Sequence, residues 1–152
     1  MIPDYETQED RDNQLEIISI AAKKWRCYFE MSPAKCAYDA SLFRNKDDSF
    51  ASIVEAKWRG SEMDRYPDYM VSAEKYRELL NSAQTFRVPA LLVVRFSDQI
   101  AWCDIEIAHN TPGAVRFGWG KRNQRGGVAI PTDRELMAFI LNNQFKELKV
   151  GN

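Results

Sequence analysis

The stretch Ser52-Ile53-Val54-Glu55-Ala56-Lys57-Trp58 decides how this chain is read. Its apolar and β-branched residues predict a strand over residues 50–58. Side chains alternate across a strand, so Glu55 and Lys57 share one face while Val54, Ala56 and Trp58 share the other. Just upstream, residues 36–43 also alternate as a strand, and the polar residues 44–49 between them read as a turn. Folding this hairpin about Asp47 sets Asp39 directly opposite Glu55. The Cβ atoms of such a cross-strand pair lie about 4.5–5.5 Å apart. A slip of one residue would carry one carboxylate to the other face.

Two carboxylates that close repel by about 1 kcal/mol in water and about 4 kcal/mol at an effective dielectric near 20, for charges 4 Å apart. A bound cation offsets that repulsion, and hard carboxylate oxygens suit Mg2+ or Mn2+. The neighbouring Lys57 is of the right type to hold an attacking water or to stabilise negative charge on a phosphate. This combination points to metal-assisted hydrolysis of a phosphodiester. Spacing alone fits equally well a charged strand face that is simply turned to solvent.

Outward from the hairpin, residues 7–24 read as a helix with Leu15, Ile18, Ala22 and Trp25 as its apolar stripe, and Pro33 breaks the chain after it. A polar loop containing Gly60, Tyr66, Pro67 and Tyr69 follows the hairpin. Ser72 then caps a helix to about residue 85, with Tyr76, Leu79, Leu80 and Ala83 buried. The continuous apolar run over residues 90–96 predicts a central strand, and residues 100–107 a second one across the turn Ser97-Asp98-Gln99. A basic, glycine-containing segment leads to a short strand near residues 128–130, and Thr132 or Asp133 caps a closing helix to about residue 145. The expectation is one domain over residues 1–152, a mixed α/β arrangement around one sheet.

Composition narrows the chemistry. A chain of 152 residues can bury a proper core without disulfides, and a net charge of −1 advertises no polyanion partner globally. The three cysteines are odd in number and widely spaced, which suits buried thiols in a reducing compartment. An acidic start without an apolar stretch is not a secretory signal, and no run approaches membrane-spanning length; the expectation is a cytoplasmic protein with no membrane contact. The single histidine, His109, excludes His-rich zinc sites and HNH-type nucleases, and no Cys-x-x-Cys pair or Walker loop is present. Acid–base work therefore rests on carboxylates, lysine or metal-bound water.

Tyr38-Asp39, a short hairpin, and then Val54-Glu55-Ala56-Lys57 resembles the PD-(D/E)XK superfamily, which includes restriction enzymes, archaeal Holliday-junction resolvases and many small phage nucleases. The element order αβββαβ fits over most of the chain if residues 27–31 supply the first short strand. Tyr38 stands where the motif's name has proline. The resemblance implies a restriction-endonuclease-like fold, with a central mixed sheet flanked by helices. It implies Asp39 and Glu55 as ligands of Mg2+ (or Mn2+), a third ligand from the Ala56 carbonyl, and Lys57 assisting catalysis. Some members add a glutamate from the first helix, for which Glu16 is the candidate, against its plain reading as a solvated acid on the helix's polar side. Lys75 resembles an extra polar residue used early in the second helix, against its reading as a solvated lysine. The implied activity is that of a Mg2+-dependent phosphodiesterase, an endo- or exodeoxyribonuclease acting on nucleic acid, DNA foremost. The alternative is a non-catalytic nucleic-acid-binding or partner-regulating module on the same fold.

Substrate contacts are expected from residues 115–127, which hold Arg116, Lys121, Arg122 and Arg125 together with Phe117 and Trp119 and no acid. Cations meet phosphates and aromatic rings stack on unpaired bases. The competing reading is a solvated loop whose aromatics pack inward. Arg59 and Arg65, just past the motif, are also placed to meet a phosphate backbone. A homodimer or a protein partner, with the acidic N-terminal segment as a docking surface, completes the expectations.

Overall fold

The computed structural model describes residues 7–121 and 134–149. The chain opens with α1 (Gln8–Lys24), started by a capping box in which the Thr7 hydroxyl accepts from Asp10 N–H and the Asp10 carboxylate accepts from Thr7 N–H. Its buried face is Ile17, Ile18, Ala21 and Ala22. Leu15, expected in that stripe, is 44% exposed, because the helix meets the sheet only over its later turns.

Three antiparallel strands follow: β1 (Cys27–Met31), β2 (Ala40–Arg44) and β3 (Phe50–Trp58). β2 begins later than expected, since the chain ahead of it turns, with Lys35 in the left-handed region (φ 67°). The pairs Ala40↔Val54, Ser41↔Ile53 and Leu42↔Ser52 keep the register that a fold about Asp47 predicts, before a bulge at Leu42/Phe43 shifts it. β4 (Asp68–Ser72) lies in what the sequence presents as a polar loop. It leads directly into α2 (Ala73–Phe86), whose N-cap Ser72 accepts from Lys75 N–H and whose buried residues are Tyr76, Leu79, Leu80 and Ala83, as expected. α2 crosses back to β5 (Ala90–Arg95), a buried strand parallel to β3. β6 (Ile100–Asp104) stops short of the expected residue 107. There the Asp104 carboxylate accepts from the N–H groups of Glu106 and Ile107 and so starts α3 (Ile105–Asn110).

The C-terminal third corrects the sequence reading. Part of the basic segment is a strand, β7 (Val115–Lys121), and the expected closing helix is a strand, β8 (Arg134–Leu141). Leu136, Met137 and Ala138 favour helix in isolation, but β8 is the middle of a sheet ordered β4-β8-β7. Pairing on both edges satisfies its backbone and buries Met137, Ala138 and Ile140, which outweighs a propensity worth a few tenths of a kcal/mol (~0.2–0.7) per residue. The expected strand at residues 128–130 and the caps Thr132 and Asp133 lie outside the described residues. A final strand, β9 (Lys146–Glu147), pairs with β6 and completes a mixed six-stranded sheet ordered β1-β2-β3-β5-β6-β9.

Helices flank this sheet on both sides. Val54, Ala56, Leu91 and Val93 pack under α1 with Ile17 and Ile18. Ile53, Leu92 and Val94 pack on the other side with α2, α3 and the inner face of the small sheet. Each large aliphatic side chain buried this way contributes about 1.5–3 kcal/mol. Alternation along β3 then turns Glu55 and Lys57 toward the α2 side, where Glu55 is a carboxylate set into an otherwise apolar layer. Among the described residues no helix is long and apolar enough to cross a membrane.

Candidate active site

Glu55 is a buried charge in the molecule's main sheet. Its side chain is only 3% exposed, with Oε2 3.3 Å from Lys57 Nζ and 3.7 Å from Lys75 Nζ. Its other oxygen, Oε1, is buried and has no hydrogen-bond partner. Leaving such an acceptor dry costs about 1–3 kcal/mol, more for a charged group. Burial first, and then the charge of Asp39, push the Glu55 carboxyl up to about 7 in spite of both lysines.

Asp39 sits at the bend ahead of β2, not in the ladder, and reaches Glu55's neighbourhood by backbone anchoring. Its N–H donates to the Val54 carbonyl (2.9 Å) and its Oδ2 accepts from Ala56 N–H (2.8 Å). The N–H and C=O of a strand residue point to the same edge, so the Ala56 carbonyl is directed to the side where Asp39 lies. Asp39, Glu55 and the Ala56 backbone thus converge just ahead of the start of β2. A buried carboxylate with an unsatisfied oxygen beside a second, oriented carboxylate is a donor set that fits a hard divalent cation. Two carboxylates form the cluster; among the described residues no group of three or more acidic, His or Cys side chains surrounds a common point.

The two lysines differ in role. Lys57 is 41% exposed at the cleft; burial works against its charge, but Glu55 and then Asp39 outweigh it and hold its pKa above the usual lysine value. Lys75, in the first turn of α2, is held by donation to the Ala37 carbonyl (3.0 Å) and lies 3.7 Å from Glu78. The sequence leaves Lys75 open between a site residue and a solvated lysine, and the fold brings it to Glu55 because the Ser72 cap starts α2 at the mouth of the cleft. That cleft, about 630 Å3, lies between the start of α1, residues 32–36 and the Asp39–Glu55–Lys57–Lys75 group.

Other expected residues fall elsewhere. Glu16 pairs with Arg95 at 2.9 Å and is not in the cleft wall. α1 borders the cleft with its first turns, so the acid it presents there is Asp12, one turn earlier, where Gln8 Nε2 donates to it (2.9 Å). The resemblance names Glu16 only as a glutamate of the first helix, and a helical wheel, which sorts polar from apolar faces, gives no height along the axis by which to tell it from Asp12. Arg59 donates to the Met70 carbonyl (2.7 Å) and lies over the Tyr69 ring (4.3 Å), tying β3 to β4. Arg116 lies 3.5 Å from Asp68 and stacks over Phe139. Trp119 is 70% exposed. Lys121 ends β7, and Arg122 and Arg125 lie outside the described residues. His109 is exposed, its Nδ1 meets the Tyr76 hydroxyl at 2.8 Å, and it is not in the cleft wall.

A mixed sheet carrying an aspartate at the end of one hairpin strand and Glu-x-Lys on the next, with helices on both faces, defines the restriction-endonuclease-like class. Within it, the chain belongs to the family described as phage putative PDDEXK endonuclease, whose model matches residues 1–148. A similar solved structure is the Holliday junction resolvase Hjc of the archaeal hyperthermophile Archaeoglobus fulgidus, 13% identical, with the match covering 70% of this chain and 83% of that one at a TM-score of 0.47. No curated protein matches the chain.

Proposed function

We propose that this chain is a divalent-cation-dependent nuclease that hydrolyses phosphodiesters of DNA at the Asp39–Glu55–Lys57 cleft. The observation that carries the reading is the buried Glu55 carboxylate, with one oxygen unsatisfied and Asp39 beside it. Such a site is costly in the apo protein and is stabilised by a cation held by Asp39, Glu55 and the Ala56 carbonyl. When bound, the cation supplies Lewis-acid stabilisation of charge building on the phosphate. Asp39 is kept in place for that purpose by the Ala56 N–H. Lys57, half in the open cleft and firmly protonated, donates to an attacking water or to a non-bridging phosphate oxygen. Lys75, 3.7 Å from Glu55 Oε2, favours the ionised form of that carboxylate against the burial and the Asp39 charge that oppose it. Water adds to phosphorus, the bond to the leaving sugar oxygen breaks, and that oxygen takes a proton. DNA is assigned on the superfamily resemblance and the phage endonuclease family.

The test is a panel of end-labelled single-stranded, duplex and branched DNA and RNA, incubated with the protein in Mg2+, Mn2+ or EDTA. Cleavage in either metal and none in EDTA supports the reading. Binding without cleavage under every condition would replace it with the binding-module alternative.

A further inference from the structure

The segment Phe117-Gly118-Trp119-Gly120 is not used by the cleft, and its strand conformation gives it a definite shape. Alternation along β7 puts Phe117 and Trp119 on the face that looks inward, and the ladder sets Trp119 opposite Leu136. The glycines fall on the other face, where Gly120 is closely covered: a Cβ there would come within 2.5 Å of Met137 Cγ. The inward face is core at one end, where Ala138 and Ile140 are fully buried. It then runs out past α2 into the open, with Phe117 52%, Leu136 42% and Trp119 70% exposed. Arg134, exposed and two residues before Leu136, adds a cation to the same face. Among the described residues of β7 and β8 that face carries no carboxylate.

The strip and the cleft share α2, which packs Phe117 with one residue and carries Lys75 to Glu55 with the one before it. Phe117 packs edge-on against Tyr76 at 5.6 Å, and Tyr76 follows Lys75, whose ammonium lies 3.7 Å from Glu55. From these contacts we infer that Phe117, Trp119 and Leu136 form a stacking platform for unpaired bases. The substrate would accordingly carry a single-stranded segment beside the scissile phosphate. This rests on the nuclease reading and narrows its substrate class. Two aromatics on alternate strand residues stand about 7 Å apart, a spacing that serves successive splayed bases. An uninterrupted duplex hides its base faces and offers a largely apolar, cationic strip only sugar and phosphate.

The test separates binding from cleavage. Fluorescence anisotropy in EDTA would compare wild type and Trp119→Ala on labelled oligo-dT and on a blunt duplex. Loss of one base stack predicts roughly 5- to 150-fold weaker oligo-dT binding, with duplex binding changed by less than about twofold. Trp119→Phe should recover most of the loss. Equal weakening on both substrates, or none on oligo-dT, would overturn the platform. A dimer in sedimentation that Trp119→Ala abolishes, with oligo-dT affinity unchanged, would overturn it too and make the strip a self-association surface. Cleavage assays in Mg2+ then report on the nuclease reading by itself: the platform can stand with no cleavage, and cleavage can stand without the platform.

Discussion

Glu55→Gln removes a buried carboxylate whose protonation changes on folding. The carboxyl's ordinary value of 4.5 rises to about 7 in the folded protein, so between those values the folded state holds a proton that the unfolded chain has released. Stability must therefore fall as pH rises through that window, and be unaffected by Glu55 below it. At about 1.36 kcal/mol per unit, the wild type loses about 3 kcal/mol that the glutamine variant does not. For a chain of this size that corresponds to roughly 6–12 °C in Tm. Thermal and urea melts of both proteins, freed of metal, at pH 5 and pH 8 give the difference directly. Glu55→Gln should gain on wild type between the two, and a divalent cation at one hundred times its Kd should return about 2.7 kcal/mol to wild type alone. A variant-minus-wild-type difference that stays flat from pH 5 to pH 8 would refute the buried, repelled carboxylate.

Lys75→Ala should lower kcat roughly 10- to 100-fold at unchanged fold, since it removes a charge-assisted contact to Glu55; an unaltered rate measured on the preferred substrate would reduce Lys75 to a helix anchor. Glu16→Gln should leave cleavage within about twofold because its carboxylate is engaged by Arg95, away from the cleft, and a large loss of rate would restore it as a ligand. Arg122→Ala combined with Arg125→Ala should flatten the log–log salt dependence of DNA binding by about 0.7–0.9 for each phosphate that is no longer neutralised. The parent's slope in that double variant would remove both arginines from the interface.

The hairpin was legible because period-two alternation and a short polar turn fix register locally; Ala40↔Val54 follows from them. Asp39's actual attachment was not, since it depends on the chain bending at Lys35 and on a backbone N–H of Ala56. α2 carried its own signals in the Ser72 cap and a clean apolar stripe. The small sheet carried few: β4 is short, with Pro67 just before it, and β8 is a stretch of helix formers whose strand state exists only through its two neighbours. Helical position along the axis decided Asp12 over Glu16 at the cleft, and that is tertiary information. The resemblance of Tyr38-Asp39 and Val54-Glu55-Ala56-Lys57 to PD-(D/E)XK nucleases supplied what spacing left open, and the family match over residues 1–148 agrees with it.

The most direct measurement is cleavage of labelled DNA in Mg2+ by wild type, Asp39→Asn, Glu55→Gln and Lys57→Ala, each verified as folded, with an EDTA control for every protein. The account predicts wild-type cleavage that EDTA abolishes, and a loss of at least about 100-fold in each variant, the scale of removing one preorganised charge from a reacting centre. Wild-type cleavage that persists in EDTA, or a folded Glu55→Gln protein that cuts at the wild-type rate, would contradict it.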